Sequence, residues 1–147
     1  MSRTVAVLVA ALAGTLVGMQ APINSRLGRA VGSVQAASLS FVLGTVVLLA
    51  VAAFANGGFA AYTKVTAAPW WALIGGLLGA IYVTVAILTV RTLGASGLTA
   101  AVITGQLVIS VVIDRFGLLG VARQPIGAQR MIGLVLLVLG VALVVRK

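Results

Sequence analysis

Five long apolar stretches follow one another along the chain, separated by short polar or charged segments. A helix needs about 20 mostly apolar residues to cross the hydrocarbon core of a bilayer. The stretches are continuously apolar, so they lack the period of two that marks the strands of a membrane β-barrel. We therefore predict an all-α integral membrane protein with five transmembrane helices in a single domain, residues 1–147, and spans at about residues 4–21, 34–55, 69–90, 97–116 and 131–145.

The first stretch has one feature of a secretory signal peptide, because Arg3 precedes an apolar run. The run is long for the apolar part of a signal, however, and it continues into Gln20, Pro22 and Asn24 without a clear cleavage site. We therefore interpret it as the first membrane span.

The composition agrees with a membrane protein and excludes several kinds of chemistry. Of the 147 residues, 62% are hydrophobic and only 7% are charged, against about 25% charged residues in soluble domains. There is no His or Cys, and Asp114 is the only acid. Because zinc sites, iron–sulfur sites, disulfides and carboxylate pairs all need those residues, we expect no metal, no cofactor and no enzymatic activity.

The ten Lys and Arg residues lie singly between the apolar stretches, as flanks of membrane spans do, so we expect a lipid bilayer and not nucleic acid as their partner. Lys and Arg in short loops determine which side of a membrane protein faces the cytoplasm. With five spans, the cations divide equally between the two ends, as Arg3, Lys64, Arg115, Arg123 and Arg130 at one end and Arg26, Arg29, Arg91, Arg146 and Lys147 at the other.

This equal division predicts dual topology, in which copies of the chain insert in both orientations. The alternative is that the tail charges count for less and a single orientation prevails. Two inverted copies would reproduce the inverted repeat that many transporters carry within one chain. We therefore expect an antiparallel homodimer of ten helices, or a pair with a paralogue of fixed opposite orientation.

Polar residues inside the spans are the candidates for function. In the fourth span, Thr99, Gln106, Ser110 and Asp114 fall within an arc of about 80° on one helical face. Such a stripe faces either a water-filled cavity or hydrogen-bonding groups of neighbouring helices. Asp114 is either an ion or proton relay or an interfacial ion pair that anchors the end of the helix.

The first three spans add further candidates. Gln20 and Asn24 are one helical turn apart, next to Pro22, which frees backbone carbonyls. Ser38 in the second span and Tyr82 in the third could face the same cavity, or hydrogen-bond within the bundle. The spacing of small residues that allows helices to approach closely occurs at two pairs of glycines, which are Gly14 with Gly18 and Gly75 with Gly79.

Several separated motifs resemble the YdcZ-like family of small bacterial membrane proteins, part of the drug/metabolite transporter superfamily. They are Gln20-Ala21-Pro22-Ile23-Asn24, Gly79-Ala80-Ile81-Tyr82-Val83-Thr84, Ile103-Thr104-Gly105-Gln106-Leu107 and Asp114-Arg115-Phe116-Gly117.

The resemblance implies a multi-pass protein of the bacterial inner membrane, with a five-span unit that is half of a ten-helix transporter. It marks Gln20, Asn24, Tyr82, Gln106 and Asp114 as motif residues. The last span is also similar to the closing pattern of EamA-type halves, although Ala122-Arg123 stands where many of those have a Gly-Glu pair.

Our leading hypothesis is a secondary transporter that moves a small organic solute by alternating access. Gln20, Asn24, Ser38, Tyr82, Thr104 and Gln106 would line its substrate site as neutral hydrogen-bonding groups. The alternatives are a passive ion channel of the dual-topology type and a membrane assembly partner that transports nothing.

Overall fold

A computed structural model describes residues 1–55 and 58–145. Within these ranges the chain forms helices and connecting turns and no β-strand, which confirms the all-α prediction. Short 3-10 helices at Gly58–Ala67, Trp70–Ile74 and Leu118–Gly120 connect the longer elements. The α-helices are α1 (Arg3–Val31), α2 (Ser33–Phe54), α3 (Gly75–Phe116) and α4 (Ala128–Val145).

The third helix contains enough residues for two membrane spans. Together with the 3-10 turn before it, the helical stretch Trp70–Phe116 has 47 residues, more than twice the about 20 that one membrane span needs. Gly94 interrupts the helix with φ 71° and ψ 172°, a conformation that glycine tolerates because it has no Cβ. We name the two parts α3a (75–93) and α3b (95–116), so the described residues form five long helical segments.

The first helix extends past the apolar stretch that defines the first predicted span. Instead of ending near residue 21, α1 continues through Pro22 to Val31. The added turns are not apolar all round, but they bury Asn24, Ser25 and Gly28 against neighbouring elements. Tertiary contacts therefore extend the helix beyond the point where its apolar pattern stops.

A single residue, Gly32, connects α1 to α2, and its φ of 96° requires glycine. A Cβ at this position would also collide with Oε1 of Gln35. The hydrogen bond from Asn24 to Ser40 joins residues that are each eight positions from Gly32. The two helices therefore pack side by side and run antiparallel.

The chain divides into two compact units, residues 1–91 and 92–147. In the first unit, small residues bring the helices together. Ala36 and Ala37 of α2 pack with Val83 and Ile87 of α3a, and the Ile87 side chain is fully buried. Further along the same pair of helices, Gly79 faces the Phe41 ring, which a Cβ on the glycine would approach to 3.3 Å.

The second unit contains α3b, the following turn and α4. None of the α4 residues is buried. Two apolar grooves with volumes of about 620 Å³ and 450 Å³ lie between α3b and α4. The helices of this unit therefore leave open, apolar space between them.

Candidate functional site

Three of the residues singled out in the sequence lie together in the first unit. Gln20 and Asn24 of α1 and Tyr82 of α3a line one small cleft, together with Ala21, Val83 and Ala86. The two amides share a face of α1 because they are one turn apart. Asn24 is only 6% exposed, so it lies inside the bundle.

The Asn24 side chain is held in place by the second helix. Its Nδ2 donates a hydrogen bond to Oγ of Ser40 over 3.1 Å. Hydrogen bonds of this kind join membrane helices where no water competes for the polar groups. The cleft therefore combines amide and phenol groups from two helices with a hydroxyl from the third that fixes one of the amides.

Every residue that lines the cleft is uncharged, and the cleft has no room for a water-sized sphere. Sites for small organic ligands typically occupy about 300–1,000 Å³. The polar groups are assembled here, but the space between them is closed. A solute could fit between these groups only after the helices move apart.

Ser38, another predicted lining residue, lies elsewhere. It is exposed, and its Oγ donates to the backbone carbonyl of Gln35 over 2.8 Å. Ser40 contacts Asn24 instead, because two residues along a helix correspond to a turn of about 200°. The signal for Ser40 was its spacing, since it follows the buried Ala36 and Ala37 by four and three residues.

The polar residues of the second unit mostly bond to their own helix. Thr104 donates to the carbonyl of Ala100 over 3.0 Å, and Ser110 donates to that of Gln106 over 2.6 Å. The Gln106 side chain is exposed. Thr99 lines the larger apolar groove.

Asp114 forms an ion pair with Arg130, at the start of α4. The backbone of Gln124 donates to the carbonyl of Asp114 over 2.8 Å, and Nε of Arg123 donates to that of Arg115 over 3.0 Å. The turn after α3b is thus fastened to the end of that helix. Of the two roles considered for Asp114, this contact is typical of an ion pair at the end of a helix. The partner is Arg130 and not the adjacent Arg115.

The four predicted packing glycines differ in their surroundings. Gly79 approaches Phe41, whereas a Cβ added at Gly14, Gly18 or Gly75 would meet nothing within 4 Å. Those three positions are open in the single chain. Over the described ranges, no group of His, Cys, Asp or Glu side chains could hold a metal ion.

Sequence reasoning missed a cluster around Arg91, at the end of α3a. Its Nε donates to Oγ of Ser25 over 3.1 Å, and its Nη2 donates to Oγ of Ser33 over 3.4 Å. These contacts join residues 66 and 58 positions apart in the chain. A local pattern carries no signal for such a contact.

Comparison with known proteins agrees with the expected family. Residues 5–143 match the family described as "Putative inner membrane exporter, YdcZ". The chain is also 30% identical over 147 residues to the inner membrane protein YdcZ of Escherichia coli K12, covering 99% of this chain and 97% of that protein. No solved structure matches the chain.

The family match spans nearly the whole chain, so the chain belongs to the YdcZ family and is a multi-pass protein of the bacterial inner membrane. The family description is that of an exporter, which is a transporter and not an enzyme.

Proposed function

We propose that this member of the YdcZ family is a secondary transporter of a small, uncharged organic solute, and that it works by alternating access as an antiparallel pair of chains. The observation that carries the proposal is the closed cleft formed by Gln20, Asn24 and Tyr82. Its hydrogen-bonding groups lie inside a bundle of apolar helices, where polar groups commonly mark a transport pathway.

The chemistry of the cleft favours a neutral solute. Amide and phenol groups can donate and accept hydrogen bonds, but they cannot balance a full charge. The only acidic side chain in the sequence belongs to Asp114, which is paired with Arg130 in the second unit. A cationic solute in the cleft would therefore find no counter-charge among the residues that line it.

The closed state of the cleft favours alternating access over a permanent pore. A channel needs a continuous wet path, whereas these polar groups enclose no water-sized space. In the proposed cycle, the helices separate on one side of the cleft, admit the solute and close behind it. Thr104 and Gln106 are the residues of the second unit that we propose line the pathway there, and Ser38 would join the site only after a rearrangement of α2.

Two features support the proposal that a second, inverted copy forms part of the transporter. The cations are divided equally between the two ends of the spans, so the sequence gives little preference for one orientation. The second unit also leaves apolar grooves open between α3b and α4. An inverted partner would complete the ten-helix arrangement with the symmetry found in many transporters, whether that partner is an identical chain or a paralogue.

A binding screen followed by a flux measurement tests the proposed function. Purified protein is screened for solutes that raise its melting temperature, and each hit is tested for counterflow in proteoliposomes. We expect an uncharged solute to stabilise the wild type, and Asn24→Ala and Gln20→Ala to abolish both effects. Ser110→Ala is the control, because its hydroxyl bonds only to its own helix among the described contacts.

Two results would contradict the proposal. Flux far above about 10³ solutes per second exceeds the usual range of catalysed cycles and would indicate a passive channel. Failure to bind or move any solute in a broad screen would favour a membrane assembly partner.

A further inference from the structure

We propose that the first unit binds the phosphate group of an anionic phospholipid at the cluster formed by Ser25, Gly28, Arg29, Ser33 and Arg91, which we call the arginine site. The proposal concerns an interaction with the bilayer and does not depend on transport. It rests on the fixed position of one guanidinium, on the lack of an ion pair between it and an acidic side chain among the described residues, and on the apolar surface beside it.

The Arg91 guanidinium is held between two other helices. Beyond the bonds from Nε to the Ser25 hydroxyl and from Nη2 to the Ser33 hydroxyl, Nη2 also lies 3.4 Å from the carbonyl oxygen of Ser25. Ser25 is 6% exposed and Ser33 is the first residue of α2. These bonds use Nε and Nη2, and the described hydrogen bonds leave both N–H groups of Nη1 for an external acceptor.

Gly28 makes room for this arrangement. A Cβ at Gly28 would lie 3.0 Å from Nη2 of Arg91 and 3.2 Å from Cγ2 of Ile87. The guanidinium therefore rests directly on the backbone of α1. Arg29 adds a second cation, because it follows Ser25 by one helical turn and shares its side of α1.

The described hydrogen bonds and ion pairs bring no carboxylate to these charges. The sequence contains a single acid, Asp114, and that acid is paired with Arg130. Among the described residues, Arg29 and Arg91 form no salt bridge with an acidic side chain, so both cations are available to an external anion. A phosphate suits a guanidinium, since two N–H groups can bond two of its oxygens.

The position of the arginine site favours a lipid over a free phosphate ion. The 19 residues of α3a extend for about 28 Å, close to the thickness of the hydrocarbon core, so we expect Arg91 near the headgroups at the end of that span. Leu88 precedes Arg91 by three residues, and both Leu88 and Leu27 are exposed. These side chains offer apolar surface to the acyl chains of a lipid whose headgroup reaches the guanidinium, as at basic sites between membrane helices.

The test measures lipid retention on the purified full-length protein by native mass spectrometry. The protein is incubated with equal amounts of phosphatidylglycerol, which has a net negative charge, and phosphatidylcholine, whose choline group balances its own phosphate. Arg91→Gln and Arg29→Gln each remove one cation from the arginine site. Lys64→Gln is the matched control, because it removes one exposed cation at the other end of the spans.

We expect the wild type to retain phosphatidylglycerol preferentially. Arg91→Gln should lower that preference about fivefold, the effect of about one cation at an anionic headgroup, and Arg91→Lys should lower it by less. Arg29→Gln should lower it in the same direction, and Lys64→Gln should leave it unchanged. If Arg91→Gln does not give a folded, monodisperse protein, Arg29→Gln decides the test.

Three results would overturn the proposal. The arginine-site variants could keep the wild-type preference, or Lys64→Gln could lose as much as they do, which would indicate a general effect of net charge. Millimolar inorganic phosphate could also displace the lipid completely, which would indicate a site for a free anion.

Discussion

The two units of the chain are built differently. In residues 1–91, small side chains let three helices approach, and buried polar groups are bonded between helices, as Asn24 is to Ser40. In residues 92–147, α4 buries no residue, and grooves of up to about 620 Å³ stay open beside it. Among the described side-chain contacts, an ion pair between Asp114 and Arg130 links α3b to α4 at one end of these helices.

The difference has a physical reason. Lipid tails are as apolar as leucine, so burial of apolar surface does not drive membrane helices together. Close packing and hydrogen bonds must do so, and the first unit has both. In the second unit, α3b and α4 face each other with apolar side chains but do not pack closely. This arrangement is expected where a further helix fills the open space.

The largest expected effect is a cavity in the packed unit. Ile87→Ala removes a fully buried side chain and should lower the free energy of unfolding by about 2 kcal/mol or more. The control is Ile132→Ala in α4, where the side chain is 59% exposed, and the loss should stay below about 0.5 kcal/mol. Thermal or denaturant unfolding in detergent measures the stability of both variants. If both lost the same free energy of unfolding, the difference in packing between the two units would be contradicted.

The next effect is steric. Gly28→Ala places a methyl group 3.0–3.4 Å from Arg91, Ile87 and Ser33, and overpacking of this kind costs about 1–3 kcal/mol. Gly44→Ala is the control, since a Cβ there meets nothing within 4 Å and Ala is the better helix former by up to about 1 kcal/mol. In the same unfolding assay, Gly28→Ala should lower the free energy of unfolding and Gly44→Ala should raise it. An increase for Gly28→Ala would show that the three helices do not pack closely at this position.

A smaller effect is expected from the hydrogen bond inside the bundle. Asn24→Ala should cost about 1 kcal/mol, and a double-mutant cycle with Ser40→Ala should give a coupling of about 0.6 kcal/mol, the average between membrane helices. A cycle of Asn24→Ala with Ser38→Ala should give no coupling. Coupling to Ser38 that equals the coupling to Ser40 would contradict the described contact.

The smallest expected effect concerns the ion pair of the second unit. Asp114→Asn should lower stability by only about 0.5 kcal/mol, because both side chains are partly exposed and water screens the pair. The double variant Asp114→Arg with Arg130→Asp should recover most of the loss in the same unfolding assay. If Asp114→Asn instead abolishes transport without lowering stability, the result would favour a role of Asp114 as an ion or proton relay.

The positions of the spans could be predicted from the sequence where a continuous apolar stretch alone determines where a helix begins and ends. The sequence predicts residues 34–55 for the second span and α2 is Ser33–Phe54, and the predicted end of the fourth span at 116 coincides with that of α3. The break at Gly94 falls within the expected gap between residues 90 and 97. The helix α1 continues ten residues past the apolar stretch that ends near residue 21, where Asn24, Ser25 and Gly28 are buried.

The candidate site could be predicted only in part. The amides of Gln20 and Asn24 and the phenol of Tyr82 stood out because polar groups are rare in apolar spans, and the structure brings these three together. Ser40 and Arg91 did not stand out, because their importance comes from contacts 16 and 66 residues away in the chain. Hydrogen bonds at that separation depend on how helices pack, which periodicity does not encode.

The pairing of inverted copies is the central claim, and labelling of a single introduced cysteine tests it most directly. The chain has no native Cys, so Ser2→Cys, which lies just before α1, gives one reporter per copy. A membrane-impermeant maleimide applied to intact inner-membrane vesicles should label about half of the copies if the charge balance sets no preferred orientation. The remainder should react only after the vesicles are opened. Labelling of all copies from one side would contradict the pairing of identical inverted chains.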